Sequence, residues 1–208
     1  MTNSEYTHIA LIADRSGSMA TIAKDMNGGI ETLLKDQATL PGKLLVDVTT
    51  FDAVVEFPYS SVSVSDIQFP VIHPRGATAL LDAVGFTITR LGEKFAALPE
   101  DERPGKVIVA IVTDGYENAS SEYTGTQIKE LVTRQKDEWQ WEFLFLGANI
   151  DSFEVAGNWG ISKGSTINYA PTSTGVSSVL RSASAYMTTT RSNLTAVFTD
   201  EDRDASTA

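Results

Sequence analysis

The chain has no cysteine and only two histidines in 208 residues. Disulfide frameworks and thiolate metal sites are therefore excluded, and neither histidine has a second at ligand spacing. Basic residues are also scarce, 16 against 27 acidic ones, which leaves a net charge of −11. Those that exist are scattered. A nucleic-acid surface needs a clustered basic face to displace counterions, so no nucleic-acid partner is expected. The same acidity argues against docking on anionic membranes, and no apolar run approaches transmembrane length. The polar start, Met1 to His8, has no basic segment ahead of an apolar core. No signal peptide is expected, and a cytoplasmic location is.

What the sequence does contain is alternation. At 42% hydrophobic content there is material for one well-packed domain. His8 to Ala13 reads as a buried strand, followed by Met19, Ile22, Met26, Ile30, Leu33 and Leu34 at helical spacing, a helix whose Gly28-Gly29 pair is expected to allow close packing on the sheet. Leu44–Phe51 and Val54–Phe57 flank Asp52-Ala53, a strand pair with a tight turn. Leu81, Val84, Ile88, Leu91 and Phe95 outline an amphipathic helix, and Val107 to Val112 is the clearest buried strand. A helix around Ile128, Leu131 and Val132 comes next, then the strand Phe143–Leu146. A short last strand is expected over Ser165–Tyr169, and a final helix through Val176, Val179, Leu180, Ala183 and Met187. Such alternation implies right-handed crossovers and a mostly parallel sheet covered on both faces, with one antiparallel edge. The domain is expected to span Thr7 to Arg191. The acidic end, Thr199 to Ala208, has almost no apolar residues and is expected to be disordered.

In an open α/β sheet, ligands collect beyond the carboxyl ends of the strands, where strand order reverses. Two strongly apolar strands here end in aspartate, Asp14 and Asp114. Neighbouring strands lie about 4.8 Å apart, which would bring both carboxylates to one rim. In Asp14-Arg15-Ser16-Gly17-Ser18, polar side chains recur at alternate positions around a glycine that permits a sharp bend. Thr78, just ahead of the amphipathic helix, offers a third hydroxyl. Two carboxylates and three hydroxyls are hard donors, suited to Mg²⁺, Mn²⁺ or Ca²⁺. The plainer alternatives are that Ser18 and Thr78 cap helices and that the aspartates are turn residues.

The trio of Asp14-x-Ser16-x-Ser18, Gly76-Ala77-Thr78 and Thr113-Asp114-Gly115 resembles the metal-ion-dependent adhesion site of von Willebrand factor A domains. The three motifs stand in the family's order, and the resemblance extends over roughly Thr7 to Thr190. PRGATALLDA, TDGYENAS and FLFLGAN look like a subgroup of stand-alone intracellular domains of bacteria and bacteriophages. The resemblance implies a Rossmann-like three-layer α/β/α fold of about six strands with one antiparallel edge. It implies a complete metal site, with Ser16 and Ser18 as direct ligands and Thr78 direct in one state and water-mediated in another. Asp14 and Asp114 would act mainly through waters. The metal, Mg²⁺ foremost, would then take a carboxylate from an Asp or Glu of a partner protein, which is binding and not catalysis.

Around this rim, Arg15 is a candidate to face an acidic partner, against a local salt bridge. Gly76 shapes the loop before Thr78. Glu117 and Asn118 are candidates to shape partner choice or contact metal-bound water, against a solvated loop, and Asn149 to hydrogen-bond the first loop, against a plain strand-to-helix turn. A Mg²⁺-dependent phosphohydrolase is the competing class, since an aspartate ending the first strand also opens haloacid-dehalogenase-type sites. That chemistry asks for an acid two positions later, where this chain has Ser16, and Lys106 precedes a strand at the wrong end. Serine hydrolysis lacks its G-x-S-x-G elbow. A third reading is a structural or assembly role in a phage particle or complex, with the metal fixing a loop.

Overall fold

The computed structural model describes residues 2–208. The chain runs through β1 (Asn3–Asp14), a 3₁₀ turn (Gly17–Thr21), α1 (Ala23–Ala38), β2 (Lys43–Phe51) and β3 (Val55–Val62). It continues with α2 (Leu80–Ala96), β4 (Pro104–Thr113), α3 (Gly125–Trp139), β5 (Glu142–Gly147) and α4 (Ser152–Asn158). The last elements are β6 (Thr166–Asn168), α5 (Ser173–Arg191) and α6 (Asp200–Thr207). The strands form one six-stranded sheet in the order β3-β2-β1-β4-β5-β6. All neighbours are parallel except β3, which runs antiparallel to β2 at the edge.

A strand covered on both faces has no solvent side, so its sequence reads as a continuous apolar run. β1 is buried without a break from Tyr6 to Asp14, and β4 from Val107 to Thr113. Alternate side chains still go to opposite faces. Ile9, Leu11 and Ala13 share one core with Met26, Ile30 and Leu34 of α1 and with Val176, Val179 and Met187 of α5. Ala10 and Ile12 share the other with Val84, Ile88 and Leu91 of α2 and with Ile128 and Val132 of α3. In α2 the buried leucines are Leu80 and Leu91; Leu81 is only half-buried.

The connection from β1 through α1 to β2 covers one face, and the connection from β3 through α2 to β4 covers the other. Strand order therefore reverses between β1 and β4. The loops after these two strands splay apart there and leave a crevice, the place where an α/β sheet binds ligands.

Two expectations need correction. The first is the acidic end, which is helical and docked. Thr199 and Asp202 form a reciprocal capping box at the start of α6, and Asp200, Glu201 and Asp202 occupy the first turn, where the helix dipole favours negative charge. Asp202 also accepts a 2.7 Å bond from Ser182 of α5, and Arg203 donates to the carbonyls of Thr166 at 2.6 Å and Lys163 at 2.8 Å. Polar contacts hold this helix, so a search for apolar periodicity misses it. The second is Gly28-Gly29, expected to pack on the sheet. A side chain at Gly29 would run into Leu180 of α5, whereas Gly28 faces open space.

Because one carboxylate serves both the cap and the α5 contact, Asp202→Ala should lower stability by about 1 kcal/mol, as loss of a helix cap does. Urea unfolding should show an earlier midpoint, with residues 199–208 becoming the first site of limited proteolysis.

Candidate functional site

The crevice is organised by one carboxylate. Asp14 ends β1 and is fully buried. One of its oxygens accepts the backbone N–H of Ser16 at 2.6 Å, and the other accepts the hydroxyl of Thr113 at 2.6 Å. Thr113 ends β4, and the pairing of Ala13 with Val112 sets the two strand ends side by side. The residue just beyond β4, Asp114, accepts the Ser18 hydroxyl at 2.6 Å, and the Ser16 and Ser18 hydroxyls lie 3.1 Å apart. A Cβ on Gly115 would stand 3.8 Å from the Ser18 hydroxyl and 3.9 Å from that of Thr78. The structure thus brings Asp14, Ser16, Ser18, Thr78 and Asp114 to one rim.

The capping alternative does not describe these hydroxyls. The N-cap positions of α1 and α2 are Ile22 and Ala79, and neither makes a side-chain cap bond. Ser16 precedes the 3₁₀ turn, also without one. The free N–H groups at the start of α2 are met from the loop after β4, by Glu117 at Leu81 (2.8 Å) and Ser120 at Asp82 (3.0 Å). Ser18 and Thr78 are left for another purpose.

Burial pushes the carboxyls of both Asp14 and Asp114 above the usual range. Hydrogen bonds from Thr113 and Ser16 oppose this at Asp14, as that from Ser18 does at Asp114, where the negative charge of Asp14 adds to the upward push. Neither carboxylate has an ion-pair partner among the described residues. The neighbouring cations are committed elsewhere. Arg15 bonds Asp52 at 3.0 Å and Glu56 at 2.6 Å; Arg75 bonds the same two at 2.6 and 2.7 Å. The bond from Arg15, foremost, holds Glu56 at about 2.

This corrects the reading of Arg15 as a partner-facing rim residue. It is 5% exposed and turned inward, because a guanidinium in a buried position needs carboxylates and Asp52 and Glu56 supply them. Gly76 is exposed at a φ of 68°, and a side chain there would press on Asp52 at 3.3 Å. Its carbonyl accepts Gly17 N–H at 3.2 Å, while Arg75 N–H bonds the Arg15 carbonyl at 2.7 Å, so the first two loops are stitched together.

Glu117 is also spoken for. Besides Leu81 it accepts Ala119 N–H at 2.8 Å and both the N–H and the hydroxyl of Ser120 at 2.6 Å, which makes it a loop organiser. Asn118 is exposed, yet its side chain accepts Thr78 N–H at 2.9 Å and its own N–H bonds the Thr78 carbonyl at 3.0 Å. It positions Thr78. Asn149, in the left-handed region at φ 55°, reaches the Asp114 carbonyl at 3.4 Å and not the first loop, a second correction.

Sequence reasoning assigned no role to two residues near Asp114. Thr113 carries the hydroxyl that joins the strand ends, and Tyr116 stands 57% exposed beside the rim while its hydroxyl accepts Asp151 N–H at 3.2 Å. The only sequence signal for either was adjacency to Asp114. His73 is exposed, and His8 is buried between Tyr6 and Asp47 on β1 and β2. No cluster of three or more His, Cys, Asp or Glu able to hold a metal occurs among the described residues. A cation at the rim would therefore need the hydroxyls as donors. That donor set fits a hard divalent ion, which would also neutralise two buried carboxylates that lack a cation.

No family model matches the sequence, and no curated protein matches it either. Solved structures do. Proximal thread matrix protein 1 from the mussel byssus, with a zinc-occupied MIDAS motif, is 16% identical with a TM-score of 0.57 over 86% of this chain and 45% of that one. The manganese-loaded TRAP protein of Plasmodium vivax is 14% identical with a TM-score of 0.55, over 74% and 64%. A von Willebrand factor type A structure from Catenulispora acidiphila is 14% identical with a TM-score of 0.56, over 86% and 42%. This chain spans under two thirds of the length of each.

Two outcomes test the site's physical description. Glu117→Ala leaves several donors unmet and should cost about 2 kcal/mol in urea unfolding. Asp14→Asn should instead stabilise the metal-free protein at pH 7 by about 1 kcal/mol, by removing a buried charge. The sign follows from linkage: with raised folded-state values, the native protein takes up protons before the unfolded chain, so its stability gains as pH falls through them. The wild-type minus Asp14→Asn difference, measured in EDTA, should shrink from pH 7 and close below the ordinary carboxylate value. What the backbone already settles is the architecture: this chain has the Rossmann-like α/β fold of von Willebrand factor A domains.

Proposed function

We propose that this chain is a divalent-cation-dependent protein-binding module of the von Willebrand factor A type, with a complete metal-ion-dependent adhesion site. The observation that carries the reading is the rim itself: two buried carboxylates with no cation paired to them, facing hydroxyls that cap no helix. Ser16, Ser18 and Thr78 would hold Mg²⁺ through their hydroxyls, with Asp14 and Asp114 acting mainly through bound water; Mn²⁺ or Ca²⁺ would suit the same oxygens. The zinc- and manganese-bearing structures with this fold support a divalent ion in this position.

Neutral hydroxyls neutralise little of the ion's charge, so the ion stays electrophilic toward an incoming carboxylate. The partner is accordingly a protein presenting Asp or Glu. Exposed Tyr116, Asn118, Gly76 and Asn149 frame the approach, while Arg15 and Glu117 act from behind by fixing the loops. No helix among the described residues is long and apolar enough to cross a membrane. Placement in the cytoplasm, a domain spanning residues 7–191 and a bacterial or bacteriophage type belong to the same proposal.

Titration calorimetry with MgCl₂ tests it directly. Asp14→Ala, Asp114→Ala and Thr78→Ala should each weaken Mg²⁺ binding at least tenfold, the lower end for loss of groups that hold a metal or orient its ligands. Capture of an Asp- or Glu-bearing peptide should require Mg²⁺ and fail in EDTA. Unchanged Mg²⁺ affinity in all three variants would defeat the proposal, as would steady phosphate-ester turnover that is lost in Asp14→Asn.

A further inference from the structure

We infer that the partner meets the rim with a segment carrying one acidic residue between apolar side chains, which Val54 and Tyr116 receive on either side of the crevice. The inference rests on the metal-dependent reading above and adds what flanks the bound acid. Among the described residues, Val54, Tyr116, Trp139, Leu194 and Val197 are the large hydrophobic side chains left more than half exposed. Trp139 ends α3 just ahead of β5; Leu194 and Val197 follow α5, with Val197 beside Gly164 ahead of β6. Those three lie toward the amino ends of the strands. Val54 and Tyr116 lie at the other end, in the β2–β3 turn and in the loop after β4.

Strand order puts the two on opposite sides of the crevice, since β2 flanks β1 and β5 flanks β4. Tyr116 reaches toward β5, where its hydroxyl accepts the N–H of Asp151 at 3.2 Å. Val54 donates its N–H to Asp52 at 2.8 Å, and Arg15 and Arg75 hold Asp52 in turn. Both side chains therefore stand on loops already fixed, and apolar contact on fixed loops costs little ordering when a partner binds. Between Val54 and the crevice the exposed residues are Ala53, Gly76 and Gly17. A Cβ at Gly76 would stand 3.6 Å from Ala53 N, and one at Gly17 3.5 Å from the Gly76 carbonyl, so the three are neighbours. Their small size leaves low ground on which a side chain can lie.

Charge decides what the flanking side chains are. In the rim loops Arg15 and Arg75 are paired with Asp52 and Glu56, and Glu117 is bound by backbone and hydroxyl donors. Asp14 and Asp114 face the proposed cation. Asp151 alone is left outward, and it already caps α4 through the N–H of Glu154 at 2.9 Å. Although the chain carries a net charge of −11, the frame around the crevice is close to neutral. A second acid on the partner would meet no free lysine or arginine in these described loops, and a base would meet one acid, beyond Tyr116. Apolar flanks match Val54 and Tyr116 and strand no charge. Strands lie about 4.8 Å apart, so β2 and β5 each stand roughly 7 Å from the middle of the crevice, about two residues of extended chain.

The probes are acetylated, amidated nonapeptides titrated into the full chain in MgCl₂. The first is Ser-Leu-Leu-Ser-Asp-Ser-Leu-Leu-Ser; three others replace its leucines by serine, lysine or glutamate. The leucine peptide should bind about tenfold more tightly than the serine peptide, the gain for partly burying apolar side chains, and more tightly than the other two. Val54→Ser should remove several-fold of that preference while leaving Mg²⁺ affinity and serine-peptide affinity unchanged, and Tyr116→Ser should reduce the preference as well. Equal or tighter binding of the serine, lysine or glutamate peptide would overturn the inference, as would full preference kept in both variants. So would absence of saturable leucine-peptide binding to a chain that binds MgCl₂. Peptide binding unchanged by EDTA would instead defeat the metal-dependent reading, whereas Mg²⁺-dependent binding without preference overturns this inference alone.

Discussion

The carboxylate of Asp14 spans two strands. One oxygen takes the N–H of Ser16 and so turns the chain out of β1; the other takes the hydroxyl of Thr113 and so ties that turn to the end of β4. A fully buried carboxylate is tolerated only where its oxygens are met, and meeting them here draws the first loop and the end of β4 together. Ser18 then reaches Asp114, and Gly17 reaches Gly76. The geometry of the crevice follows from the need to satisfy one buried acid.

Charge is sorted around that point. Arg15 follows Asp14 directly in the chain, yet its guanidinium turns away, to Asp52 and Glu56, where Arg75 joins it. This four-membered cluster holds the β2–β3 turn against the first two loops and keeps both cations off the rim. Two acids therefore remain uncompensated at the crevice while two more are paired beside it. The same residue types serve structure in one place and leave electrostatic demand in the other.

The mussel, Plasmodium vivax and Catenulispora acidiphila structures share only 14–16% of their residues with this chain. Fold survives such divergence because it depends on pattern: continuous apolar runs for strands covered on both faces, and helical stripes for the elements that cover them. Loops at the carboxyl end of the sheet carry the acid-and-hydroxyl rim.

Much of the architecture was legible in residues 8–187, since Ile9–Ala13, Val107–Val112 and the Val84–Phe95 stripe leave no other way to hide so much apolar surface. The aspartates after two such strands were legible as rim residues for the same reason. The helical end was not: α6 is held by Thr199, Asp202 and Arg203 through polar contacts that have no apolar period. Nor were the duties of Arg15, Glu117 and Asn149, whose partners lie 41, 36 and 35 positions away at the farthest bonds described here. Local pattern determined which segments are strands and helices and which residues end them, because burial periodicity is a short-range property. Which polar group each side chain meets, and so which acids stay unpaired, was decided only when the sheet closed, because hydrogen bonds between distant segments depend on register and loop path.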